Sequence, residues 1–396
     1  MTAENEADKP LDVFIIAGEE SGDALAEGLM AELTALHPAG VRFRGVGGAR
    51  MQAQGLQSLF PMEDITAMGF AQVIGGLPRI LKRMREAAQA IIAHPPDILV
   101  MVDAPDFTHR VAHKVRARLR DLPIVKYVAP TVWVWRPGRA KTMAPDFDRV
   151  LALLPFEPEA MHELGGPPTT YVGHPLFNEL DRLRPNAQEA GRRGAKPPVL
   201  LVLPGSRRAE LARLGATFGE VLGLLRTHVP EVELVLPTLP RRLAQVEAMV
   251  ATWPVKPRIV VEEAEKLAAF RVARAALAAS GTVTLELALA GIPTVAAYRV
   301  PWLEGRIAPY IIRVKTAILP NLILGESAVP EYLQWYIDPP AMASRLARLL
   351  DGGEEREAQL AAFARLDQVM GVGDDPPSRR AARAVLETLA EKRGQA

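Results

Sequence analysis

The feature that most constrains this chain is a repeated pairing, in which a short apolar run ending at Gly, Pro or Asp is followed by a segment of helical periodicity. Leu11–Ala17 precedes Asp23–Leu36, Ile98–Val102 precedes Phe107–Leu119, Ile124–Val128 precedes a short helix near Arg139, and Arg149–Leu153 precedes Glu157–Leu164. Runs that are apolar at nearly every position belong to strands buried on both faces, and the intervening helices supply the cover, so the pattern predicts a parallel, doubly wound sheet. From Asn178 to Pro198 no apolar cluster is large enough to build a core. The pairing then restarts with Val199–Leu203 and Arg208–His228, Val232–Leu236 and Pro240–Ala251, Arg258–Val261 and Ala264–Arg271, Ala275–Ala279 and Thr282–Ala290, and finally Thr294–Tyr298. The 396 residues also exceed the roughly 250–300 at which a single core stops growing.

The expected architecture is α/β, with two Rossmann-like doubly wound domains around a central cleft. Its bounds are residues 1–185, a linker at 186–198, residues 199–370, and a C-terminal helix within 371–396 that packs back on the N-terminal domain. In such sheets ligands sit beyond the carboxyl ends of the strands.

Charge and composition remove several function classes. With 47 Lys+Arg against 46 Asp+Glu, the chain has no overall field to draw nucleic acid, and none is expected as a partner. The absence of cysteine excludes disulfides, thiolate nucleophiles, iron–sulfur clusters and cysteine zinc sites. His37, His94, His109, His113, His162, His174 and His228 show no metal-ligand spacing, so neither metal nor cofactor is expected. Met1–Pro10 has no apolar core of the kind a signal peptide needs. The best apolar stretch, Ala275 to Ala297, is broken by Ser280-Gly281-Thr282, Glu286 and Gly291-Ile292-Pro293, so no membrane span is expected.

Chemistry-bearing segments follow the strands. Gly18-Glu19-Glu20-Ser21-Gly22-Asp23 lacks the dinucleotide fingerprint. Its glycines let backbone approach a polyhydroxy ligand lined by Glu19, Ser21 and Asp23, whose carboxylates would repel a phosphate; the plainer reading makes Ser21 or Asp23 a helix cap. Asp103 directly follows an apolar strand, where a carboxylate at a cleft rim suits a general base, although Asp-Ala-Pro-Asp also reads as a turn. Asp106 reads as the N-cap of the next helix.

Pro204-Gly205-Ser206-Arg207-Arg208 joins a strand end to a helix start, where free N–H groups and the Arg207 guanidinium can meet a diphosphate. Ser280, the Gly281 backbone and Thr282 open another helix with donors of the same kind. Glu286, one turn on, suits paired ribose hydroxyls; otherwise Ser280 or Thr282 only caps and Glu286 is solvated.

Two further segments carry less definite signals. Leu77, Ile80, Leu81 and Met84 recur at helical spacing among Arg79, Lys82, Arg83 and Arg85, after Phe70, Val73 and Ile74. That suits a helix lying on an anionic membrane surface and accepting acyl chains, or a core helix with a solvated basic face. Trp133 and Trp135 fall on one side of a segment read as extended, for sugar stacking or core packing. His174, in Gly173-His174-Pro175, reads as a base or orienting group.

The order of these motifs resembles the lipid A disaccharide synthase family over nearly the whole chain. The resemblance rests on GEESGD at Gly18–Asp23, DAPDF at Asp103–Phe107, APTVWVWRPGR at Ala129–Arg139, LLPFEP at Leu153–Pro158, YVGHPL at Tyr171–Leu176, LPGSR with Glu210 at Leu203–Glu210, SGTVTLE at Ser280–Glu286, and LPNLILG at Leu319–Gly325 with Pro330-Glu331 and Gln334 following. The set is specific where no single member is. It departs from the commoner GEASGD pattern at Glu20, which bears on the shape of that loop.

The resemblance implies a metal-independent GT-B glycosyltransferase that works without a cofactor. It implies transfer of 2,3-diacylglucosamine from UDP-2,3-diacylglucosamine to 2,3-diacylglucosamine 1-phosphate, giving the β-1,6-linked disaccharide 1-phosphate and UDP. It further implies Asp103 as general base, Arg207 at the donor diphosphate, and Ser280, Gly281, Thr282, Glu286 and Asn321 in the nucleotide site. The expected setting is the cytoplasmic face of the bacterial inner membrane, as a peripheral monomer or homodimer. Another GT-B transferase or a nonhydrolysing epimerase, and a UDP-sugar or phospholipid-binding protein without catalysis, are the competing readings.

Overall fold

The computed structural model describes residues 9–66, 70–302, 305–306 and 312–395, apart from the side chains of 70–76 and 395. Two compact domains result: Met1–Phe177 with Gly373–Ala396, and Asn178–Val372.

The first domain alternates β1 (Leu11–Ala17), α1 (Glu20–Leu36), β2 (Val41–Val46), α2 (Ala49–Ala53), β3 (Gln57–Ser58), α3 (Phe70–Ala93), β4 (Ile98–Val102), α4 (Pro105–Arg116), β5 (Ile124–Tyr127), α5 (Gly138–Met143), β6 (Arg149–Ala152), α6 (Glu157–Glu163) and β7 (Thr169–Tyr171). Its seven strands lie in the order β3-β2-β1-β4-β5-β6-β7, every pair parallel. All five residues of β4 are buried, and alternate positions serve two cores: Leu99 and Met101 in one, Ile98, Val100 and Val102 in the other. This two-sided burial is the physical reason the strand reads as a continuous apolar run.

The terminal helix Pro377–Gln395 belongs to this first core. Ala381, Ala382, Val385 and Leu389 pack with Leu29, Met30 and Leu33 of α1. Ion pairs Arg149–Glu391 at 2.6 Å and Arg393–Asp97 at 2.7 Å flank the contact.

The second domain contains α7 (Leu180–Leu183), α8 (Ala187–Gly194), β8 (Val199–Leu203), α9 (Arg208–His228), β9 (Glu233–Pro237), α10 (Leu243–Ala251), β10 (Arg258–Val260), α11 (Glu263–Val272), β11 (Ala275–Ala279), α12 (Thr282–Leu289), β12 (Thr294–Tyr298) and β13 (Glu331–Leu333). Helices Pro339–Asp351 and Glu354–Met370 follow. The sheet order is β10-β9-β8-β11-β12-β13, again all parallel.

The segment 186–198, expected as a linker, contains α8. Asn186 and Glu189 form a reciprocal capping box, and Arg193 donates to the carbonyls of Phe270, Arg271, Ala290 and Gly291. The helix is docked by polar contacts, which leave no apolar signature to read.

In each sheet the chain reverses its direction of winding at one place, between β1 and β4 in the first and between β8 and β11 in the second. There the helices leave to opposite faces and the strand ends open a crevice, the usual ligand position in this architecture.

Candidate functional site

At the first switch point, Ala17 lies beside Val102 in register, which brings the turn after β1 against the turn after β4. Close approach depends on Gly18, because a Cβ there would lie 2.5 Å from the Cβ of Ala104. Asp103 and Ala104 both have left-handed backbones, with φ of 45° and 42°. Asp tolerates this region and Ala does not, so the pair stores strain on the order of 1–3 kcal/mol that its surroundings must offset.

Those surroundings are visible. The Asp103 N–H donates to Tyr127 O at 2.9 Å, Thr108 Oγ1 donates to the Asp103 and Ala104 carbonyls at 2.9 and 3.0 Å, and the Lys126 ammonium donates to the Asp103 carbonyl. With its backbone so held, the Asp103 carboxylate is left half-exposed at the crevice. Glu19 faces it: desolvation raises the Glu19 carboxyl above its ordinary value, and the Asp103 charge raises it further. Ser21 is exposed on the same turn.

Asp23 has a different task from the ligand contact expected of it. It is buried, and its carboxylate accepts the N–H groups of Gly48, Arg50 and Met51 at 2.7, 3.0 and 3.3 Å. It anchors the start of α2, a helix whose cap lies 25 residues downstream of Asp23 and beyond the reach of local sequence reading. Asp106 pairs with Arg139 at 2.7 Å, and no side chain caps α4.

His174 is buried just beyond β7. Its Nδ1 accepts the Leu176 N–H at 3.2 Å, and burial pushes the imidazole down to about 4, which keeps it neutral.

At the second switch point, Leu203 lies beside Ala278, and a cavity of about 570 Å³ opens over the two strand ends. Gly205, Ser206 and Arg207 line one side and Ser280, Gly281, Thr282 and Glu286 the other. Gly205 has φ of +112°, and a Cβ there would lie 2.6 Å from Glu210. Glu210 accepts the Ser206 and Arg207 N–H groups at 3.1 Å each and pairs with the Arg207 guanidinium at 3.2 Å. The Arg207 side chain is 80% exposed, so it is free to turn toward an anion.

Across the cavity the N-terminus of α12 presents the Gly281–Thr282 backbone with positive polarity. Ser280 Oγ donates to Ala317 O at 2.7 Å. Glu286 pairs with Lys266 at 3.1 Å. Lys266, which also lines the cavity and sits over the Phe270 ring at 5.3 Å, has no sequence signal of its own because it is one of several charges on α11.

Asn321 does not join this group. It is buried, with its amide N–H donating to Val329 O at 2.9 Å and its oxygen accepting the Val329 N–H at 2.8 Å, so it secures the chain ahead of β13.

Corrections also apply to the amphipathic segment. Met84 is buried in the first domain's core, with Ile80 and Leu81 packed against it, while Leu77 is exposed. Arg83 pairs with Asp64 and Glu86 at 2.7 Å each and lies over Phe60. From Ile80 onward the stripe therefore faces the protein's own interior. The side chains of Phe70, Val73 and Ile74 lie outside the described residues. No described helix is long and apolar enough to cross a membrane.

The tryptophan segment is a turn, closed by Val134 and Trp135 N–H donating to Thr131 O, and is not extended. Trp133 Nε1 donates to Glu157 at 3.2 Å, whereas Arg136 covers the exposed Trp135.

Two parallel, doubly wound α/β domains, each with polar residues gathered at its switch point, place the chain in the GT-B fold class. Solved structures share the fold. *Acinetobacter baumannii* MurG matches with a TM-score of 0.56 at 15% identity, covering 97% of this chain and 100% of that one. A *Neisseria meningitidis* UDP-GlcNAc 2-epimerase bound to UDP-GlcNAc matches with a TM-score of 0.61 at 11% identity, over 97% and 100%. The model of the lipid-A-disaccharide synthetase family matches residues 13–375. The lipid-A-disaccharide synthase of *Nitrobacter hamburgensis* is 55% identical over 382 residues, 96% of each chain. This chain belongs to the lipid-A-disaccharide synthase family.

Proposed function

We propose that the chain transfers 2,3-diacylglucosamine from UDP-2,3-diacylglucosamine to 2,3-diacylglucosamine 1-phosphate, giving the β-1,6-linked disaccharide 1-phosphate and UDP. The observation that carries this reading is the contrast in chemistry between the two switch points: one offers opposed carboxylates, the other arginine, hydroxyls and a helix N-terminus. A sugar hydroxyl needs the former and a nucleotide diphosphate the latter.

In this reading Asp103 takes the proton of the acceptor 6-hydroxyl as that oxygen bonds to the donor's anomeric carbon. The bond to UDP breaks on the opposite side, and a single displacement converts α to β. Negative charge grows on the β-phosphate, where Arg207 and the N–H groups at Gly281–Thr282 stabilise it without a metal ion. Glu286, oriented by Lys266, receives the ribose hydroxyls. Glu19 and Ser21 line the acceptor sugar, and neutral His174 orients the end of that crevice. Phe70, Val73, Ile74 and Leu77 remain the candidates for acyl or membrane contact, at the inner face of the inner membrane.

Incubation with both acylated substrates, followed by mass and linkage analysis, tests the reading. UDP release that depends on the acceptor, with a β-1,6 product, is the expected result. Conversion of the UDP-sugar with no acceptor present would instead favour epimerase chemistry, and binding without turnover would leave a non-catalytic protein.

A further inference from the structure

Lys126 is the most unusual side chain in the first domain. It occupies the middle residue pair of β5, beside Met101 on one neighbouring strand and Val150 on the other, and it is fully buried. Taking an ammonium out of water costs several kcal/mol, and an aliphatic side chain of similar volume would fill the same space without that cost. Among the described residues no carboxylate forms an ion pair with the ammonium to offset it. Its polar partners are the carbonyl oxygen of Asp103 and Thr108 Oγ1, the latter at 3.1 Å. Thr108, also fully buried, donates in turn to the carbonyls of Asp103 and Ala104. Both buried groups thus converge on the two left-handed residues of the turn after β4.

From this convergence we propose that Lys126, relayed in part through Thr108, is a positioning residue that clamps the left-handed turn and thereby aims the Asp103 carboxylate. The inference rests on Asp103 being the base in the reading above. The strain at Ala104 gives the turn a tendency to relax toward right-handed backbone. Relaxation would rotate the Asp103 side chain away from the crevice, while leaving the residues that line the second domain's cavity, which belong to other elements, unchanged. Burial supports the same view from another side: desolvation lowers the Lys126 ammonium to about 7, with the nearby Asp103 charge acting to raise it and Arg139 to lower it, so its proton is held at a cost that a passive filler would not incur.

The test compares Lys126→Met, Thr108→Val and Thr108→Ser with Asp103→Asn, in the full chain and with the two acylated substrates. Lys126→Met should lower kcat at least tenfold, with KM for the UDP-sugar and Kd for UDP unchanged. Its thermal midpoint should hold or rise, since an apolar replacement relieves the buried charge; activity and stability then move apart, which a purely structural role does not produce. Thr108→Val should lower kcat several-fold in the same pattern, and Thr108→Ser, which keeps the hydroxyl, should restore it.

If Lys126→Met keeps kcat within twofold while Asp103→Asn abolishes it, the positioning role is wrong and the base assignment stands. If Asp103→Asn itself turns over normally, the base assignment fails first. Should Lys126→Met not fold, equal activity in the Thr108 pair overturns the proposal and a split between them upholds it.

Discussion

The two switch-point crevices share an architecture and differ in how their polar groups are held. In the first domain they are fixed before any ligand arrives, by a strained turn and by a fully buried lysine and threonine beneath it. In the second they are held by one another at the surface, Arg207 by Glu210 and Lys266 by Glu286. Arg207 is the exposed member of its pair, and an ion pair open to solvent contributes roughly 0–1 kcal/mol, so exchanging Glu210 for a phosphate is easy. The contrast suits the proposed division of labour, because a base must be aimed to a fraction of an ångström whereas a binding loop must open and reclose.

The largest effect that bears on this contrast is expected at Asp103. General-base catalysis contributes about 10²–10⁴-fold, so Asp103→Asn should lower kcat by that range, with UDP affinity measured by calorimetry unchanged. A matching loss of UDP affinity would mean that the crevices do not divide the work. Next comes Arg207→Ala. A hydrogen bond to a charged group contributes about 1.5–3 kcal/mol, so UDP should bind roughly ten- to a hundredfold more weakly. Arg207→Lys should recover only part of this, since the ammonium lacks the planar fork. Full recovery would make Arg207 a point charge and nothing more.

Asp23 separates holding from binding. Loss of a buried acceptor that serves three N–H groups should cost about 1–3 kcal/mol of stability. Asp23→Ala should therefore unfold at lower denaturant, while the kcat of its folded fraction stays near that of the unchanged protein. A kcat collapse without lost stability would return Asp23 to the acceptor site.

That residue also marks where sequence reading ends. The parallel domains were legible because strands buried on both faces, such as β4 and β8, read as unbroken apolar runs. The gathering of Gly205–Arg207 and Ser280–Thr282 at one cavity was legible because both stand at strand-to-helix junctions, where local order places them at one crevice. Asp23, Asn321 and Arg193 were not, because their partners lie 25, 8 and about 80 residues away along the chain and depend on the finished fold. Lys126 did leave a trace, a lone charge inside Ile124–Val128. A charge in a buried strand is a question that only coordinates answer, by showing what it touches.

The smallest effect concerns His174, beyond β7 in the first domain, and tests whether burial sets its charge. Burial holds the folded imidazole at about 4, against an ordinary 6.5. Between those values the unfolded chain takes up a proton that the folded chain refuses. The contribution of His174 to stability is thus complete above pH 6.5 and is lost as pH falls toward 4, at about 1.4 kcal/mol per pH unit.

Other groups titrate in the same range. His109, lowered to about 3 by burial and by the Lys126 and Arg139 charges, has the same sign. Glu157, raised to about 7 by burial, has the opposite sign, since the folded state keeps a proton that the unfolded state releases from pH 4.5 upward. The total curve therefore sums opposing slopes, and the informative quantity is the difference between the unchanged protein and His174→Gln, whose amide oxygen can still accept the Leu176 N–H. That difference should be flat above pH 6.5 and shift steadily against the unchanged protein down to pH 4. A constant difference across the whole range would show that His174 titrates alike in both states, and that desolvation does not set its charge.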